Sequence, residues 1–272
     1  MVRSSPSITA TRRVPGDPKK SSKDDKSNAP PLPKRRRISV LGIVSRLVFA
    51  ALIWGGIWVA INADRAIPAG WNPLAPLAVA DPVTPFTQWR LRQALASPQT
   101  CLAALSPASR FGVMDDFEPS EKCHIRQRVE LAGVGLSRLR PVETTCAIAL
   151  RLAMWEHHSL QPAARLLLDT SVTGIEHIGS YNCREMRTAG GSTGRMSTHA
   201  TAEAIDIAGF RFADGSEARL IRDWNTQDDR AKFLRSARDG ACDWFRLTLS
   251  PDYNALHADH FHVQSRGWGG CR

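Results

Sequence analysis

Outside its first 37 residues the sequence has almost no excess charge. The formal net charge is +10 over 272 residues, from 36 Lys and Arg against 26 Asp and Glu. Residues 1–37 hold 11 of the basic and three of the acidic residues, which leaves 25 against 23 in the other 235. A folded face so balanced cannot displace counterions from a polyanion, so a basic nucleic-acid-binding domain is excluded. Cysteine is missing from the first 100 residues, and none of Cys101, Cys123, Cys146, Cys183, Cys242 and Cys271 forms a C-x-x-C pair. That excludes a cysteine zinc knuckle and a thioredoxin-type motif. The glycine-rich stretch Gly190-Gly191-Ser192-Thr193-Gly194 lacks the Lys-Ser/Thr of a phosphate cradle and is expected to be a flexible lip. After Ile61 there is no small-x-small cleavage site leading into a polar start, which argues against a cleaved signal peptide.

The chain does have one long apolar run. Ile38 to Ile61 is broken only by Ser39, Gly42, Ser45, Arg46, Gly55 and Gly56, and it follows directly on Lys34-Arg35-Arg36-Arg37. A membrane-spanning helix needs about 20 apolar residues. Trp54 and Trp58 suit the far interface, and Arg46 can snorkel to the near headgroups. Residues 38–63 are therefore expected to be a transmembrane anchor with the lipid bilayer as partner. Cytoplasmic retention of the basic cluster makes this a single-pass inner-membrane protein, N-terminus inside and C-terminal domain in the periplasm. The tail, 1–37, is too polar to bury a core and is expected to be disordered. Pro68, Pro73, Pro76, Pro82 and Pro85 predict a stiff extended linker over 64–98. An even number of cysteines confined to the exported part suits an oxidising compartment, and six cysteines allow 15 pairings that the sequence leaves open.

Residues 99–272 are long enough for one core. Cys146, Ala149, Leu150, Ala153 and Met154 fall on one face of a helix, and Pro162 is expected to open a second one running to Leu168. Strands are expected at Val172–Ile178, Ala204–Ile207 and Asp259–Val263, a hairpin turn at Asp214-Gly215 and a helix at Ala231–Arg238. The resulting fold class is α+β, a small antiparallel sheet with flanking helices carrying a zinc site.

Two stretches concentrate chemistry: Ser197-Thr198-His199 through Glu203 to Asp206, and His257-Ala258-Asp259-His260-Phe261-His262. Eight histidines scattered over the chain would place about 0.2 in any six residues, whereas the second stretch holds three. Packing three imidazoles and an aspartate together is costly without a shared cation. Strand alternation aims His260 and His262 at one site, with Asp206 beside them and His199 at the entering loop. His199, Asp206 and His262 make a three-ligand set for tetrahedral Zn2+ with a fourth position open. His260 is the expected general base and Asp259 its rival should the strand be bulged.

His-x6-Asp followed by His-x-His resembles the metal signature of lysostaphin-like and D-Ala-D-Ala metallopeptidases, and His257-x-x-His260-x-His262 is similar to that of penicillin-insensitive murein endopeptidases. The chain resembles the bacterial extensin-like C-terminal domain family more closely. That likeness runs through Cys146-Ala-Ile-Ala-Leu, Gly179-Ser-Tyr-Asn-Cys183-Arg184, Ser197 to Phe210, Ala241-Cys242 and Cys271-Arg272. The resemblance implies a small α+β zinc peptidase fold and peptidoglycan peptides as substrate. It implies that Arg184 stabilises an oxyanion or holds a peptide carboxylate. Ser197, Arg195 and His257 are candidates for substrate contact or ligand support. The first motif usually reads Ser-Glu-His with Gly-Asn before Ala-x-Asp, where this chain has Thr198, Ala202 and Glu203; the second usually continues Leu-Asp where it has Val263 and Gln264. A non-catalytic wall-binding module that keeps the metal as a structural or vestigial feature is the alternative from a different class.

Overall fold

A computed structural model describes residues 40–62, 67–68, 70–188 and 190–272. The basic tail, and with it the expectation of disorder, lies outside the described residues. Helix α1, Val40–Ile61, has one charged residue, Arg46, and an 18-residue window of mean hydropathy 2.0. It is long and apolar enough to cross a membrane.

The folded part opens with helices α2 (Thr87–Ala94) and α3 (Pro98–Leu105). Strands β1 (Ser109–Val113), β2 (Arg128–Val134) and β3 (Ser137–Thr145) follow, then helix α4 (Cys146–Trp155), a π turn (Glu156–Leu160) and helix α5 (Gln161–Leu168). The chain continues with β4 (Val172–Gly179), the hairpin β5 (Glu185–Thr188) and β6 (Gly191–Met196), β7 (Ala204–Phe212) and β8 (Glu217–Arg219). It ends with α6 (Leu220–Asp223), α7 (Asp229–Trp244), β9 (Leu247–Leu249), β10 (Phe261–Gln264) and β11 (Gly270–Cys271).

The α+β class holds, but the sheet is neither small nor antiparallel throughout. Nine strands form one sheet in the order β1-β2-β3-β4-β7-β10-β9-β11, with β8 also on β7. The pairs β3–β4 and β9–β11 are parallel. The α4–α5 run is a crossover between β3 and β4, and a crossover returns the chain in the same direction.

Pro162 stands in the first turn of α5, as expected, but α5 follows α4 without a break. It lies in a continuous helical run, and its missing N–H is accommodated by the wider π turn, in which the Gln161 amide bonds back to the Glu156 carbonyl. Helices α4 and α7 pack the core: Trp155 stacks edge-on against Phe210 of β7 and donates to the Ala237 carbonyl at 2.9 Å. Gly240 permits this approach, since a Cβ there would stand 2.4 Å from the Ser159 side chain.

Residues 70–98 form no extended linker. Leu77, Val79, Leu91 and Ala94 are buried in the same core, and buried Arg90 binds the Ala75 and Pro76 carbonyls and the Asp81 carboxylate. The apolar residues spaced between the prolines gain more by packing than an exposed spacer allows. All six cysteines pair, as Cys101–Cys146, Cys123–Cys183 and Cys242–Cys271. Three disulfides are consistent with a periplasmic domain.

Candidate metal centre

The site grows out of strand register. In the antiparallel pair β7–β10, His262 lies directly opposite Asp206. Alternation turns Ile205, Ile207, Phe261 and Val263 into the core and leaves Asp206, His262 and Gln264 on the other face. His199 comes from the single helical turn Thr198–Thr201 just before β7, where Ser197 accepts the His199 amide as its cap. Ala202 closes that turn with φ +48°, the left-handed region that favours glycine.

His199 Nε2, His262 Nδ1 and Asp206 Oδ1 converge. The two imidazole nitrogens are 3.1 Å apart, and they lie 3.2 Å and 3.0 Å from the carboxylate oxygen. His199 Nδ1 is 2.8 Å from the Ser180 carbonyl, an acceptor only, so that nitrogen carries its proton. The side-chain amide of Gln264 donates to the Arg266 carbonyl at 2.7 Å, which turns its oxygen toward Thr198 and His262 Nε2 at 3.0 and 3.1 Å. His262 therefore carries its proton on Nε2. With both rings neutral, three lone-pair groups face one another and no hydrogen lies between them. A proton on the facing nitrogens would relieve this repulsion: burial works to raise the Asp206 pKa, but the hydrogen bonds and charge that His199 and His262 would then offer outweigh it and hold the carboxyl well below the usual carboxylate range. An anion and two bare imidazole nitrogens, each with its far side fixed by a carbonyl or amide oxygen, fit a divalent cation.

His260 precedes the strand, which begins at Phe261, two residues later than expected. It still faces the centre. Its Nδ1 lies 2.8 Å from Asp259 Oδ1 and its Nε2 3.6 Å from Asp206 Oδ1. Asp259 is more than half exposed and does not join the three ligands; it fixes the proton of His260 on Nδ1 and leaves Nε2 bare. His257 borders the same cluster, with ring centroids 5.2 Å from His260 and 5.9 Å from His262, and it bonds Asn254. Burial first, and then its histidine neighbours, push the His257 pKa down to about 4, so it is a neutral ring.

The remaining candidates lie farther out. Arg184 donates to the Glu185 carbonyl at 3.2 Å and makes no ion pair among the described residues; its own carbonyl accepts the Ser197 amide. Arg195 is exposed on the β5–β6 hairpin, and the glycine-rich stretch read as a lip forms β6 of that hairpin. Sequence reasoning missed Gln264 and Ser180. The i+2 spacing from His262 carried the signal for Gln264; the Ser180 carbonyl left none, because a backbone group has no side-chain signature.

A family model described as extensin-like protein C-terminus matches residues 99–272. The chain belongs to the extensin-like family. No curated protein and no solved structure matches it. The match covers every residue of the metal centre and all six cysteines of the extensin-like domain, and it begins after the segment 70–98 that packs onto the same core.

Proposed function

We propose that this protein is a membrane-anchored zinc peptidase acting on peptidoglycan peptides, its domain on the periplasmic side. The observation that carries this reading is the convergence of two bare imidazole nitrogens and a carboxylate with a fourth residue, His260, held by Asp259 to face them. Zinc bound by His199, Asp206 and His262 would polarise a scissile carbonyl and lower the pKa of a bound water to about 7. His260 takes the proton of the attacking water at Nε2, while Asp259 stabilises the imidazolium through Nδ1, and His260 then returns that proton to the leaving amine. Neutral His257, with exposed Tyr253 and Leu256, forms an apolar and hydrogen-bonding rim for a peptide. Arg184, without a carboxylate partner among the described residues, supplies charge for a peptide carboxylate or the oxyanion. A wall-binding module with a structural metal would use the three ligands but has no use for an aspartate-held His260.

The test is muropeptide release from purified sacculi by the full chain in detergent, beside His262→Ala and His260→Ala. Release by wild type, its loss in both variants, and metal retained in His260→Ala are the expected results. Stoichiometric metal with no release would leave the binding module.

A further inference from the structure

We propose that the Cys123–Cys183 disulfide is a positioning element for the metal ligand His199; this rests on the metal-site reading above. Asp206 and His262 stand on paired strands, whose ladders fix them. His199 stands on one short turn, and three backbone hydrogen bonds tie that turn to chain outside β7. The Asn182 amide donates to the His199 carbonyl at 2.9 Å, the Ser197 amide to the Arg184 carbonyl at 3.0 Å, and the His124 amide to the Ala200 carbonyl at 3.0 Å.

All three outside partners are sequence neighbours of one bridge. His124 follows Cys123, and Asn182 and Arg184 flank Cys183. The two segments joined by the bridge contain no helix and no strand of the large sheet: residues 114–127 hold only the isolated Phe117–Ile125 bridge, and residues 181–184 none. Beyond the cross-link, they meet through an edge contact between Phe117 and Tyr181 at 5.6 Å. The disulfide thus closes a clip around the His199 turn, gripping it from both sides. The other two bridges sit elsewhere: Cys101–Cys146 joins α3 to α4, and Cys242–Cys271 joins α7 to β11. A ligand on a turn is only as well placed as the groups that hold the turn. The clip accordingly sets metal affinity, whereas Cys101–Cys146 contributes to global stability.

The experiment titrates Co2+ into the full chain in detergent, comparing wild type, the double variant Cys123→Ala/Cys183→Ala and the control Cys101→Ala/Cys146→Ala, with amide hydrogen exchange followed in each. The clip variant is expected to bind Co2+ about 10-fold or more weakly, with an altered visible spectrum, since lost support of a ligand costs about 10–100-fold. The amides of His124, Asn182 and Ser197 are expected to exchange faster. The control is expected to melt earlier with unchanged Co2+ affinity. Should the double variant not fold, reduction and alkylation of this bridge in folded protein supplies the same comparison. Wild-type affinity together with unchanged exchange at the three amides would overturn the proposal. Wild type that binds no Co2+ would bring down the metal reading instead, and the exchange data would still decide whether the bridge holds the turn.

Discussion

On the helix side of the β7–β10 pair, Ile205, Ile207, Phe261 and Val263 are fully buried against an aromatic core built on Trp155, Phe210 and Phe233. On the opposite side, one residue out of step, partly open Asp206 and His262 and buried Gln264 join His199 in a cluster of acceptors. The first face is stabilised by removing apolar surface from water, and it tolerates no change of volume. The second gathers lone pairs that repel in the absence of a proton or cation, so its geometry costs stability and makes sense as a binding site. The same four-residue register serves both faces, which is why a period-two pattern in the sequence carries fold and site together.

That contrast can be broken from either side. The largest effect is expected at Trp155: Trp155→Ala should lower unfolding free energy by about 3–5 kcal/mol. Denaturant melts should show this loss, while metal affinity of the remaining folded molecules is unchanged. His262→Ala should do the reverse. Calorimetric titration should show metal affinity reduced about 100-fold or more, beyond the range for supporting groups, with the melting temperature of chelated protein held or raised. Gln264→Leu, which removes the acceptor for His262 Nε2, should weaken metal binding about 10-fold while leaving the secondary structure by circular dichroism intact. The smallest effect concerns acidity. Burial lowers the pKa of His257 to about 4 and lowers His158 and His177 as well. Between the unfolded value, about 6.5, and these folded values the unfolded chain binds protons that the native chain does not. Stability of chelated protein should therefore fall as pH drops through that window, and His257→Gln should make the fall in melting temperature shallower.

How far the sequence reaches follows from the same two faces. His199, Asp206 and His262 were readable because strand period and motif spacing are local properties, and the helix face of Cys146 to Met154 for the same reason. The long apolar helix was readable from composition. Three features needed tertiary context. The prolines of 68–85 signal extension, but Leu77, Val79 and Leu91 between and after them find a core that no local window reveals. Pro162 correctly signals the start of α5, but the π turn that joins it to α4 needed buried Glu156 and Gln161, held by the Ser137 hydroxyl and the Val172 backbone, far away in sequence. Asp259 looked like a rival base, but the late start of β10 turns it onto His260 instead.

The central claim is that His199, Asp206 and His262 form one cation site. X-ray absorption at the zinc edge on the full chain, purified and loaded with one equivalent, tests it most directly. The account predicts stoichiometric zinc with two imidazoles and a carboxylate oxygen in its coordination shell, at least one imidazole being lost in His262→Ala. Zinc that fails to bind at one per chain, or a shell unchanged by His262→Ala, would contradict it.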